Sequence, residues 1–348
     1  MNSRIHKAEE MLFQQMRDLN PEKTLLILPV SALEVHGFHL PMGTDTFFAS
    51  MNAADLAEEF AQTHPEWSVV LYPPLTLGTD ELPLAGSISA KPRVLRDAVI
   101  GFGNSLADHG FKYIVVINAH GGPRQPPALE EACEKVSRRR RIAMISPSMK
   151  ALYKFPTGGA TARFEQEMGR SLTEVEREAL STGGEHAAVM ETSLVLAYRP
   201  ELVSESYKEC KMDGPPRVPW IVNIGKLFSV PLRIVGLSDA AAKIDLIFDS
   251  LAQNFGWLRN TRNGYGGHLV TYMGNPSAAS PELGKALRKL IAEDLHAEVD
   301  AVITGRILPS DMHSLFWEIP FIRTDFFRNL GLFAAVIVGL VIIVLLLF

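Results

Sequence analysis

Four short apolar runs dominate the first half of the chain: TLLILPV at 24–30, SVVLYPP at 68–74, YIVVINA at 113–119 and RIAMISP at 141–147. Each is rich in β-branched residues and apolar without alternation, the pattern of a strand covered on both faces. Stretches of helical pattern separate them, at roughly 45–61, 92–110 and 124–139. This alternation predicts an α/β layered fold around a mostly parallel central sheet. Ligands gather at the carboxyl ends of the strands in such a sheet. The segments just beyond 30 and 117 are therefore where a site is to be sought.

Both segments carry polar clusters. ALEVHGFHLPMGTD, residues 32–45, presents Glu34, His36, His39 and Asp45 directly after the first apolar run. Such side chains are costly to bury alone, and a divalent cation would make their company favourable. Glu34 and His36 are two apart, so in an extended segment they point to the same side. Asp45 follows a Gly- and Pro-bearing turn that can bring it back toward them. His120 sits in NAHGG, where the glycines permit a tight backbone and a close approach to a ligand. GEHAAVMETS, 184–193, adds Glu185, His186 and Glu191, and the glycine-rich 264–285 ends in a helix start near Ser280 and Pro281.

Each piece has an ordinary reading: a surface Glu-x-His pair, a tight turn, a core histidine, a helix-capping carboxylate. Taken together they form a set of oxygen and imidazole donors without thiolate, which suits zinc, manganese or iron(II). A carboxylate shared between two ions would account for an odd number of ligands.

Composition narrows the remaining classes. A net charge of −5 gives no basic face for nucleic acid, and the run Arg138–Arg141 reads as a solvated helix end. Two distant cysteines, Cys133 and Cys210, fit neither a disulfide framework nor a zinc knuckle. The N-terminus shows no signal-peptide pattern. Residues 171–180 open with a Ser-x-x-Glu capping pattern and predict a surface helix. Further helices are expected at about 239–258 and 281–303, and an irregular proline-rich loop at about 204–236.

The last residues differ from all of this. LGLFAAVIVGLVIIVLLLF, 330–348, has no charged or polar side chain, and at about 1.5 Å per residue it can roughly cross a bilayer core. Residues 311–329 mix aromatics with Arg323 and Arg328, as at a membrane interface. The expectation is one globular domain over 1–310, a juxtamembrane segment at 311–329 and a single-pass transmembrane anchor at 330–348. The body then lies in the cytoplasm and the lipid bilayer is a partner.

LPVSALEVHGFHLPMGTDT, HGFKYIVVINAHGG, GEHAAVMETSLVLAYRPELV and GNPSAASPELGK resemble the creatininase (creatinine amidohydrolase) family, in the right order over roughly residues 24–290. The resemblance implies a three-layer α/β/α sandwich and metal-dependent hydrolysis of amide-type C–N bonds in small molecules: formamides, cyclic amides or short peptides. It implies two divalent ions (Zn, Mn or Fe) on Glu34, His36, Asp45 and His120, with Asp45 bridging, and a homo-oligomer. The carboxylate that creatininase proper carries two residues after its histidine is replaced here by Gly122. Glu191 is then the fifth ligand and His186 the catalytic proton shuttle. Two departures stand out: Pro123 where Asn commonly follows His-Gly-Gly, and LGTDELPLAGSIS without the histidine often found before its Gly-Ser-Ile-Ser. Both fall on the substrate side in the family. The rival reading is a tethered, catalytically degenerate scaffold of the same fold. A third is another metal-dependent chemistry on that fold.

Overall fold

The computed structural model describes residues 4–152, 155, 160–181, 186–210, 227–238, 240–242, 244–245, 248, 271–326 and 328–336. Its centre is strand β2 (Thr24–Ser31), which is buried at every position. The other strands are β1 (Ile5–Lys7), β3 (Ser68–Leu71), β4 (Leu75–Thr76), β5 (Tyr113–Ile117) and β6 (Ala143–Ile145). They pair in the order β1-β3-β2-β5-β6, every pair parallel, with β4 extending the far end of β2. Strands β1 and β4, too short to show a pattern, are additions to the expected sheet.

The helices are α1 (Phe13–Arg17), α2 (Thr44–Thr63), α3 (Pro92–Asp108), α4 (Gln125–Arg140), α5 (Ser148–Leu152), α6 (Thr161–Met168), α7 (Glu174–Ser181), α8 (Val189–Tyr198), α9 (Ser229–Ile234) and α10 (Pro281–Ile303). Alternate side chains of the sheet face two separate cores. Leu26, Leu28 and Val30 of β2, with Ile114 and Val116 of β5, pack on Leu95 and Val99 of α3 and on Leu129 and Val136 of α4. Leu25, Ile27, Val115 and Ile117 pack instead with residues of α2, α8 and α10. The result is the expected three layers, and each fully buried Leu or Ile in them contributes about 2 kcal/mol.

Helix ends follow local chemistry. Ser280 caps α10 by accepting the Leu283 N–H at 3.1 Å, where the helix start was expected. Helix α7 begins later than its Ser171 signal: Thr173 and Glu176 cap each other reciprocally, at 3.2 and 2.8 Å. Arg138–Arg140 occupy the last turn of α4, as expected of a solvated helix end. At the crossing of α10 and α8 a Cβ on Gly284 would fall on the Ser193 carbonyl, so only glycine allows that approach. Of the helix expected at 239–258, residues 240–242, 244–245 and 248 are described and helical, and the others lie outside the described residues. The 204–236 stretch, expected as an irregular loop, is corrected in its described part: a 3-10 turn at Glu205–Glu209 and helix α9 flank residues 211–226, which lie outside the described residues.

The membrane expectation is corrected. Among the described residues no helix is long and apolar enough to cross a membrane. Residues 337–348 lie outside the description. The single-pass anchor, the bilayer partner and the cytoplasmic side assigned from it are withdrawn together. Residues 314–325 also do something other than flank a bilayer. Phe316, Ile319 and Ile322 are buried, and Arg323 lies over the Trp317 ring at 3.9 Å while donating to the Trp317 carbonyl. Ser314 N–H and Thr324 N–H donate to Glu130 and Glu131 of α4. Asp325 pairs with Arg93, Arg96 and Lys135. Aromatic and basic residues that read as interfacial are the packing and pairing groups of a strap laid along α3 and α4.

Burial pushes Glu130 up to about 8, against a weaker pull from Ser314. The fold therefore binds a proton that the unfolded chain releases from about pH 4.5 upward, and stability falls from there to about pH 8. Glu130→Gln removes that slope. Its melting temperature relative to the parent is expected to rise between pH 5 and 8, in parallel thermal melts; a constant difference would contradict the buried neutral carboxyl.

Candidate metal centre

The polar segments meet above the carboxyl ends of β2 and β5. Glu34 and His36 follow β2, and His120 follows β5. Asp45 lies in the first turn of α2 and Glu191 in the first turn of α8. The positive ends of those two helices favour the carboxylates there. His186 precedes α8, at a bridge with Met273.

Three triads of ligand atoms result, the atoms of each within 4.8 Å of one another: Glu34, Asp45 and His120; His36, Asp45 and Glu191; Glu34, His36 and His186. Asp45 joins the first two. Its Oδ1 is 3.2 Å from His36 Nε2 and its Oδ2 3.2 Å from His120 Nδ1. Glu34 Oε1 lies 2.9 Å from His120 Nδ1 and 3.6 Å from His186 Nδ1. Glu191 Oε2 is 3.6 Å from His36 Nε2 and accepts the Ala187 N–H at 2.6 Å. Ala187 holds a positive φ of 52° to make that contact, a strained conformation for a residue with a side chain. The rings of His36 and His186 stack at 4.4 Å.

The histidines are oriented from outside. His36 Nδ1 is 3.0 Å from the Glu34 carbonyl, His120 Nε2 is 3.0 Å from the Thr79 carbonyl, and His186 Nε2 is 2.8 Å from the Val35 carbonyl. A carbonyl only accepts, so each of these nitrogens carries the proton. The lone pair of the other nitrogen then points at carboxylate oxygens. Lone pair against lone pair is repulsive unless a cation lies between, and an outward-donating imidazole is the usual arrangement at a metal. Asp45 Oδ2, fully buried, makes no hydrogen bond of good geometry. The donors present therefore fit divalent ions.

In the metal-free chain protons take that role. Burial lowers His36, but Asp45 and Glu191 outweigh it and bring it up to about 10. His120 is likewise raised, against burial, by Glu34 and Asp45. Burial would raise Glu34 and Asp45, yet the facing histidines hold both below the usual carboxylate range. Burial dominates for Glu191, up to about 7, and for His186, down to about 4.

Of the eight residues singled out by sequence, six (Glu34, His36, Asp45, His120, His186 and Glu191) are brought together. His39 is not: Gly37, at φ 67°, turns the chain, and His39 Nε2 meets Thr192 Oγ1 at 3.0 Å. Glu185 lies outside the described residues. What sequence missed is the loop 79–82. Its Thr79 carbonyl holds His120, and its Leu82 N–H donates to Glu34 Oε2 at 2.8 Å. Glu81 beside them is buried with neither oxygen well hydrogen-bonded, and burial raises its carboxyl. These contacts use backbone atoms or an unremarked carboxylate, and the only signal was the departure from family pattern.

A layered α/β protein with a doubly shared carboxylate–imidazole centre is the class that fold and site define. The chain belongs to the creatininase family, whose model, described as creatinine amidohydrolase, matches residues 9–299. Over 108 residues it is 32% identical to the mycofactocin precursor peptide peptidase of Mycolicibacterium smegmatis, covering 30% of this chain and 43% of that protein. Over 136 residues it is 30% identical to the protein of that name in Mycobacterium tuberculosis, covering 35% and 52%. The chain thus spans about half or less of these relatives' lengths. A manganese creatininase superposes with a TM-score of 0.56 at 19% identity, covering 86% of this chain and 98% of the other. A mutant creatininase of the zinc–zinc type gives 0.56 at 19% identity, covering 86% and 97%. These two likenesses concern the fold.

Gly122 has a physical reason to be glycine here. A Cβ at 122 would fall on His120 Nε2 and lie 2.6 Å from the Thr79 carbonyl, so this backbone excludes the carboxylate that creatininase proper has there. Gly122→Ala is expected to keep the fold but lower zinc affinity about tenfold or more, read by chelator competition. Unchanged affinity would show that the His120 contact does not matter.

Proposed function

We propose that this chain is a hydrolase that holds two divalent ions and cleaves an amide-type C–N bond of a small molecule. The observation that carries the reading is Asp45, buried between two histidines with one oxygen toward each. Glu34, Asp45 and His120 would hold one ion, and His36, Asp45 and Glu191 the other. Zinc, manganese and iron all suit this donor set. When bound, such ions polarise a carbonyl and lower the pKa of a shared water.

The chain's own residues carry out the proton transfer and the orientation. His186 keeps its Nε2 proton on the Val35 carbonyl, which leaves Nδ1 as its basic atom on the side of Glu34. Nδ1 takes the proton of the attacking water and returns it to the leaving nitrogen, the two halves of general base and general acid catalysis at one atom. Stacking on His36 holds the ring in place for both. The family description as creatinine amidohydrolase favours an amide-type small-molecule substrate and the peptidases' name a short peptide; formamides and cyclic amides enter through the family resemblance.

Full-length protein purified without chelator is expected to carry about two ions per chain, and Glu191→Ala about one, by elemental analysis. His186→Ala should keep both ions while turnover of a cleaved amide falls by about 10² to 10⁴. A parent that holds no metal and takes up none would overturn the reading, and full turnover by His186→Ala would remove His186 from its role.

A further inference from the structure

Two of the metal-facing groups are held by one loop, and that loop is held by an ion pair and a neighbouring glutamine. The Thr79 carbonyl accepts from His120, and the Leu82 N–H donates to Glu34. Between them Asp80 adopts φ 69°, in the left-handed region that side chains seldom occupy without compensation. Arg124 supplies the compensation. Its backbone N–H donates to Asp80 Oδ2 at 2.8 Å, and its Nε to Oδ1 and Oδ2 at 2.8 and 2.9 Å. The second guanidinium arm also reaches Oδ1. Next in sequence, Gln125 Oε1 accepts the Thr79 N–H at 2.9 Å and its Nε2 donates to Asn118 Oδ1. Asn118 in turn fixes the backbone of His120 from both sides, at 2.8 and 3.2 Å.

The other half of the centre is built without this loop. His36 is oriented by the Glu34 carbonyl and Glu191 by the Ala187 N–H, and neither contact involves 79–82 or Arg124. The two halves share Asp45, and Glu34 serves both, its carboxylate in one site and its carbonyl behind His36; the loop touches only the carboxylate.

We infer that the Asp80–Arg124 pair is a positioning device for one half of the centre, setting the affinity of the Glu34–Asp45–His120 site and leaving the His36–Asp45–Glu191 site largely untouched. Releasing Arg124 frees Asp80 to leave its left-handed conformation. The Thr79 carbonyl and Leu82 N–H then lose their aim together, and His120 and Glu34 with them. A planar guanidinium gripping both carboxylate oxygens resists that rotation, and an ammonium does so less well. This inference rests on the two-ion reading given above.

The test uses full-length protein and zinc alone, with chelator competition to resolve two binding constants and ¹⁵N-histidine spectra to identify which ring loses its ion. Arg124→Ala is expected to weaken one constant about 10- to 100-fold and leave the other within about threefold. The His120 signal should revert to its metal-free position while that of His36 does not. Arg124→Lys should recover only part of the loss. Asp80→Asn, which tolerates the left-handed conformation but loses charge, should fall between parent and Arg124→Ala and covers the case in which that variant fails to fold. Melting of the metal-free proteins should shift little, because the Arg124 side chain is 50% exposed. Equal weakening of both constants, or of neither, overturns the inference. A parent with fewer than two zinc sites overturns the two-ion reading instead, and the inference falls with it.

Discussion

The contact on which the rest of this structure depends is the pair of Asp45 oxygens facing two histidines. Asp45 reaches that point because α2 begins one residue earlier, so the carboxylate lies in the first turn of a helix whose end attracts anions. It can remain ionised only because His36 and His120 face it, and they remain charged only because Asp45, Glu34 and Glu191 face them. Breaking any one partnership would strand a buried charge, the costly kind of loss. The same arithmetic couples metal to pH. Under the two-ion reading, an ion entering either half would displace the proton held there, so loading would improve as pH rises.

Much of this was legible because catalytic geometry and strand patterning are written in different residue types. Continuous β-branched runs identified β2, β3, β5 and β6, and parallel packing dictated that Glu34 and His120 would emerge at the same edge. The Ser280 cap and the glycine at 122 were legible for the same reason, each being a residue chosen for a backbone need. The individual roles of Glu34, His36, Asp45, His120, His186 and Glu191 came from family resemblance, since spacing alone left ordinary readings open. What stayed hidden was work done by main-chain atoms. Any residue can offer a carbonyl or an N–H, so the roles of Thr79 and Leu82 leave no trace in composition.

The C-terminal error has a different origin. An apolar, aromatic and basic segment satisfies the criteria for a membrane interface and those for a docked strap equally well, because both environments reward burying rings and pairing guanidinium groups. Only partners distinguish them. Here Trp317 and Arg323 find each other, Asp325 finds three basic residues of the body, and Phe316 and Ile322 are covered. The partners of Asp325 lie some 190 to 230 residues away in sequence, which periodicity cannot see.

Both the loop at the centre and the strap converge on α4. Its first residue, Gln125, and the preceding Arg124 hold loop 79–82, its middle receives the strap through Glu130 and Glu131, and its apolar face packs on β2 and β5. A helix pinned on three sides cannot shift without disturbing one of them, so the aim of His120 depends on contacts well removed from any ligand atom. The family departures noted above, Pro123 and the stretch LGTDELPLAGSIS at 77–89, flank these contacts. Proline at 123 lacks an N–H to donate, and the neighbouring Arg124 N–H bonds Asp80. In this chain the two loops are joined by the Asp80–Arg124 ion pair, and His120 and Glu34 are held through them.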